Sequence, residues 1–245
     1  MLKMLKNELV IFYSSVSVRA IYIAICLIAI LVQVLLPYET AMQLVAPGFA
    51  AQAAIGAFYG VVVAFLTGKA FEKDLKNGTI INVLSCGTGR TAYFAGKCIL
   101  LLIHSFLFPL MLSLVVLAFP LVKGIGDANI PVADIIISNI ISFVLLFLMT
   151  FAESLIATVF YMLLSQFISS VIVSALVAFS EYLITLVIFR NVPVILSPIG
   201  IFIKIVNRIT VENMKAVFLP ATVMLVIYIS VFGYVFYLQS KRSEY

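Results

Sequence analysis

Six long apolar runs constrain this chain more than any motif does. They lie at Ala20–Leu36, Pro47–Thr67, Lys97–Pro120, Ile135–Leu163, Ile168–Phe189 and Val217–Leu238. A helix that crosses a bilayer needs about 20 mostly apolar residues. Runs of this length, rather than short segments of alternating hydrophobicity, predict helices and not a β-barrel. The fourth run is long enough to tilt or to extend past the bilayer. With 64% hydrophobic and only 10% charged residues, a soluble fold of 245 residues has too little interior to hide the apolar surface. The composition therefore excludes soluble enzymes, nucleic-acid-binding modules and disordered chains. The expectation is an all-α membrane protein with six transmembrane helices, residues 1–245 forming one transmembrane domain.

The charges that remain orient the spans, because cytoplasmic flanks collect Lys and Arg. With the N-terminus inside, the inner side carries Lys3, Lys6, Arg19, Lys69, Lys73, Lys76, Arg90, Lys97, Lys241 and Arg242. Lys123, Arg190, Lys204, Arg208 and Lys215 fall outside. Both termini are thus expected in the cytoplasm. The net charge of +5 reads as orientation and not as a nucleic-acid footprint. Residues 1–18 are too polar to span, but Leu2, Leu5, Leu9, Phe12 and Val16 recur at helical spacing, with Lys3, Lys6 and Asn7 off the stripe. That pattern predicts an N-terminal interfacial helix. Residues 191–216 combine Pro193 and Pro198 with Ile199, Phe202, Ile203 and Ile205 around Lys204 and Arg208. This segment before the last span reads either as re-entrant or as an amphipathic helix on the outer surface.

Enzymatic chemistry is hard to build here. His104 is the single histidine, which removes paired-histidine zinc sites and a Ser-His-Asp triad and leaves a hydrogen-bonded packing role. Neither Gly68-Lys69 nor Gly96-Lys97 belongs to a phosphate-binding loop of the G-x-x-x-x-G-K-[ST] type, so the chain is not expected to bind ATP or to be an enzyme. Cys26, Cys86 and Cys98 form no C-x-x-C pair and read as reduced packing residues.

The longest inner loop, 69–97, is more informative. A helix continues from span two through Lys76, and Asn77-Gly78 breaks it. A short apolar helix follows from Thr79 to Leu84, then a glycine turn, and Arg90 and Lys97 anchor the re-entry. Ile80, Ile81, Val83 and Leu84 need a surface to bury against. The acidic pair Glu72 and Asp74, then Asn77-Gly78-Thr79, Leu84, Gly89-Arg90, Tyr93 and Gly96-Lys97 resemble the first cytoplasmic loop of type 2 ATP-binding cassette (ABC) transporter permeases. The nearest branch is that of bacteriocin, lantibiotic-immunity and multidrug exporters. The motif-level likeness is confined to Phe71–Lys97, while the layout likeness covers the six spans, the interfacial helix and the re-entrant segment.

The resemblance implies that 69–97 is a coupling loop seated on a cytoplasmic ATPase subunit. Glu72, Asp74, Gly78, Thr79, Ile80, Leu84 and Arg90 would then contact that partner or shape the loop. It further implies two ATPase copies that hold ATP and Mg, no cofactor bound by this chain, a second permease as homodimer or heterodimer partner, surrounding membrane lipid, and a bacterial cytoplasmic membrane. Gly56 and Gly60 form a G-x-x-x-G step that suits close helix packing, either within the subunit or across a dimer.

Two intramembrane acids complete the list. Glu153 lies 13 residues before Gln166 and Glu181 lies 15 after it, which puts both about 20 Å above the turn between spans four and five. Buried carboxylates are costly in a membrane and mark a candidate substrate pathway. They would share a proton, be neutral, or face a wet cavity that accepts a cationic substrate; the plain alternative is hydrogen bonding to Ser154, Ser180 or Tyr182. No Lys or Arg is expected at their depth. The functional expectation is an ABC exporter permease for a hydrophobic or amphipathic substrate such as an antimicrobial peptide or drug. The alternative is a stand-alone proton-coupled transporter or channel that uses Glu153 and Glu181.

Overall fold

A computed structural model of the chain describes residues 2–35, 61–71, 90–123, 132–164 and 211–242. All the described residues are helical except Ser15. The helices are α1 (Leu2–Ser14), α2 (Val16–Leu35), α3 (Val61–Phe71), α4 (Arg90–Lys123), α5 (Val132–Leu164) and α6 (Val211–Arg242).

Three segments within these helices are long and apolar enough to cross a membrane: Ala92–Val115, Asn139–Met162 and Phe218–Gln239. A fourth candidate is the pair Leu5–Ser14 and Val16–Leu31, bent by 65°. Three to four apolar helices of this kind are the architecture of a membrane protein. The third, fourth and sixth apolar runs of the sequence reappear in α4, α5 and α6. The fifth run, and the second up to Gly60, lie outside the described residues.

Ser15 makes the break between α1 and α2. Its N–H donates to the Phe12 carbonyl at 3.2 Å, which tightens the end of α1, while its own carbonyl accepts from the Arg19 N–H at 3.1 Å and so opens α2. Serine suits that N-terminal cap position. The Ser14 carbonyl is taken by the Arg19 guanidinium at 3.1 Å. The sequence stripe crosses this break. Phe12 is buried and Leu5 and Leu9 pack on the core, but Val16 is 73% exposed because α2 starts on a new axis.

The α4 stripe of Tyr93, Lys97, Leu100, Leu101, His104, Phe108 and Leu112 is fully enclosed, with Leu102, Phe106 and Leu114 turned outward. α5 is the most enclosed of the three long spans: every residue from 152 to 159 is buried, and 61% of its span is enclosed against 44% for α4 and 17% for α6. α6 packs on α5, buries Ala221, Leu225 and Phe236, and presents Leu219, Val223, Val226, Val231 and Tyr234 outward.

Ring contacts set the register. Phe106 of α4 meets Phe143 and Phe147 of α5, with centroids 5.4 and 6.0 Å apart. Phe71 of α3, which lies under Lys97, meets Tyr161 at 6.2 Å. Moving back along α4 thus moves forward along α5, so the two helices are antiparallel. Phe94 of α4 meets Phe236 near the end of α6 at 5.5 Å.

Candidate functional site

The most heavily built polar feature is centred on Lys97. Its Nζ donates to Glu8 Oε2 of α1 at 2.6 Å and to the Ala70 carbonyl of α3 at 2.8 Å. The ammonium also lies over the rings of Phe71 and Tyr93, at 5.6 and 5.5 Å from their centroids. The Lys97 side chain is 1% exposed and that of Glu8 is 20% exposed. A buried charge of this kind is tolerable only when paired and hydrogen-bonded. Lys97 has a carboxylate, a carbonyl and two aromatic faces, and it joins three helices.

Lys97 was expected at the flank of span three as an orientation charge. It is instead inside the apolar segment Ala92–Val115 and turned into the bundle. The reason is the position of its partner. Leu5, Glu8, Leu9 and Phe12 follow the i, i+3, i+4, i+7 pattern, so Glu8 is on the inner stripe of α1, and an acid there demands a cation. Glu8 is the lone carboxylate of the first 36 residues, and that placement was the sequence signal for this site. The match also fixes the depth of α1. This helix is distinct from α2, as expected, but it is packed on α4 at the level of the span.

Glu153 is buried in the middle of α5, 1% exposed. With Thr150, Ser154 and Thr158 it forms a polar stripe at helical spacing, all enclosed. Thr150 and Thr158 donate their hydroxyls to the Leu146 and Ser154 carbonyls one turn back, at 2.6 and 2.7 Å. Taking Phe106 as level with the midpoint of Phe143 and Phe147, Lys97 is about 13 Å back along α4 and Glu153 about 12 Å onward along α5. Phe71 meanwhile links the Lys97 ammonium to Tyr161, two turns beyond Glu153 on α5, and α4 itself starts two turns before Lys97, at Arg90.

A second polar group lies two turns further along α4. The Tyr22 hydroxyl and His104 Nδ1 are 2.6 Å apart and buried, which makes His104 the hydrogen-bonded packing residue expected. Phe12, Tyr22 and Phe108 surround its ring at centroid distances of 5.5, 5.8 and 5.8 Å. Among the described residues, His104 Nε2 and the neighbouring Ser105 hydroxyl are buried without a hydrogen-bond partner, as are the hydroxyls of Thr67 in α3 and Ser154 in α5.

Glu72, Asp74, Gly78, Thr79, Ile80, Leu84, Gly56, Gly60 and Glu181 lie outside the described residues, and so does the expected pairing of Glu153 with Glu181. Arg90 is the first residue of α4. Residues 90–97 of the expected coupling loop are thus helical, and residues 211–216 of the segment before the last span already belong to α6. Cys26 and Cys98 are free thiols, and among the described residues no cluster of His, Cys, Asp and Glu could hold a metal. No protein-family model, no curated protein and no solved structure matches this chain.

Proposed function

We propose that this chain is the permease subunit of an ABC exporter. In this reading it has six spans with both termini in the cytoplasm of a bacterium and works with a second permease. Two separate ATPase subunits supply ATP and Mg chemistry, and the substrate is hydrophobic or amphipathic. One observation carries the reading. The segment with the permease-like pattern, Phe71–Lys97, begins and ends at one point on the bundle, because Lys97 Nζ is hydrogen-bonded to the carbonyl of Ala70. A segment held closed at its base is presented as a unit, as a docking loop must be. The polar stripe around Glu153 supplies a buried acid on the transport path. The test is co-purification of the full chain with an ABC ATPase from native membranes, followed by Thr79→Ala and Arg90→Ala. Uncoupling of hydrolysis from export with normal membrane insertion supports the reading. Failure to retain any ATPase, with both substitutions silent, refutes it.

A stand-alone proton-coupled transporter or channel that uses Glu153 and Glu181 remains the second reading, favoured by the helix break at Ser15, two turns after Glu8 of a buried ion pair. Interrupted helices next to intramembrane charges are a recurrent design of ion-coupled carriers. It predicts pH-driven flux in proteoliposomes without ATP, lost in Glu153→Gln.

A further inference from the structure

The aromatic pair Phe71–Tyr161 joins one face of α3 to one face of α5. Thr67 is one turn back from Phe71 on the same face, and Ser154 is two turns back from Tyr161 on the same face. Both side chains are 0% exposed, and neither hydroxyl has a hydrogen-bond partner among the described residues. Thr67 is three residues, about 4.5 Å of helix rise, before Ala70, whose carbonyl holds Lys97, and Ser154 is about 10 Å of rise before Tyr161, whose ring meets Phe71. About two turns along α4, His104 Nε2 and Ser105 Oγ are also buried and unpartnered. Pro109 adds to that polarity, because its missing N–H leaves the Ser105 carbonyl without its helical donor. An unpaired buried polar atom costs about 1–3 kcal/mol, and native interiors satisfy such atoms with protein or with ordered water. Four within two helical levels of a single ion pair form a group, and Glu8, 20% exposed, opens one side of that group to the exterior.

We propose that the Thr67–Ser154–Lys97 layer is a hydrated site inside the bundle, entered past Glu8 and ending at His104 and Ser105. Water there bridges the orphan hydroxyls and solvates the ion pair, so the layer admits polar solutes that the surrounding Leu, Ile and Phe side chains reject. This rests on the membrane-span architecture alone and not on an ATPase partner. Loss of the exporter reading therefore leaves it standing, and its own failure leaves the exporter reading standing.

Thiol accessibility tests it on the full chain in membranes. Cys26, Cys86 and Cys98 are first replaced by alanine, and Thr67→Cys, Ser154→Cys, Leu66→Cys and Leu155→Cys are introduced one at a time. The probe is 2-(trimethylammonium)ethyl methanethiosulfonate, which is membrane-impermeant and reacts with thiolate, a species that needs water to form. Cysteines at 67 and 154 should label about tenfold faster or more than those at the equally buried positions 66 and 155. Rates at 67 and 154 no greater than at their apolar neighbours overturn the proposal. Lys97→Met, which removes the cation that draws Glu8 inward, should raise the rate at 154. An unchanged rate there overturns the entry route past Glu8.

Discussion

Replacing Glu8 by leucine should destabilise this protein more than replacing Lys97 by methionine, even though both break the same ion pair. In Glu8→Leu the Lys97 ammonium, 1% exposed, keeps the Ala70 carbonyl and two rings but loses its neutralising carboxylate. Stranding a buried charge costs about 3–5 kcal/mol. In Lys97→Met the carboxylate left behind is 20% exposed rather than enclosed, so the cost is nearer the about 1.5–3 kcal/mol of a charged hydrogen bond. At about 2–4 °C per kcal/mol for a chain of this length, Glu8→Leu should melt about 6–20 °C below the parent. The double variant Glu8→Leu/Lys97→Met buries no charge at this junction and should melt above Glu8→Leu alone. The assay is thermal unfolding of detergent-purified protein with a fluorogenic thiol dye that reports the half-buried Cys26 and Cys98. A Glu8→Leu shift below about 2 °C, or losses that simply add in the double variant, would refute the buried-pair reasoning.

Tyr22→Phe removes the hydroxyl from His104 Nδ1 and should cost about 1–3 kcal/mol, most of it recovered by Tyr22→Phe/His104→Leu, read as melting temperatures. Leu225→Ala, at a fully enclosed position of α6, should cost about 2–5 kcal/mol, whereas Val226→Ala on the outward face should change the melting temperature little. Gly233→Ala should be neutral to mildly stabilising, by up to about 1 kcal/mol. The added methyl would meet Leu155 Cδ1 at 3.9 Å, an ordinary contact, and alanine is the better helix former.

The three long spans were legible because a bilayer demands uninterrupted apolar length, and α4, α5 and α6 have it. The break at Ser15 was not legible, for a geometric reason. Leu2, Leu5, Leu9, Phe12 and Val16 keep helical spacing across it, and one residue outside the helix does not disturb a count of threes and fours. What changes is the axis, and Val16 goes to the outside with it. The Lys97 site was hidden differently. A lysine at the head of an apolar run reads as a flank anchor, and the carboxylate that draws it inward is 89 residues earlier in the chain. Only the position of Glu8 on the inner stripe of α1 signalled a buried partner.

That placement has a mechanical consequence. Lys97 holds α1 by a carboxylate and α3 by a backbone carbonyl, and α3 and α4 are the two helices between which residues 72–89 run. Any displacement of α3 against α4 at the base of that segment stretches the Ala70 bond, and any displacement of α4 stretches the Glu8 bond. Both bonds belong to one buried ammonium, which resists losing either partner, and the cheaper motion is for α1, α3 and α4 to move together. In an exporter driven from 72–89, the first element to follow the loop would therefore be α1, and the bend at Ser15 is where α1 can turn without carrying α2 along. Spin labels at Asn7 and Leu27, on exposed sites either side of the bend, should change separation during ATP hydrolysis by the assembled transporter. In Lys97→Met they should not, because the link between loop and α1 is gone.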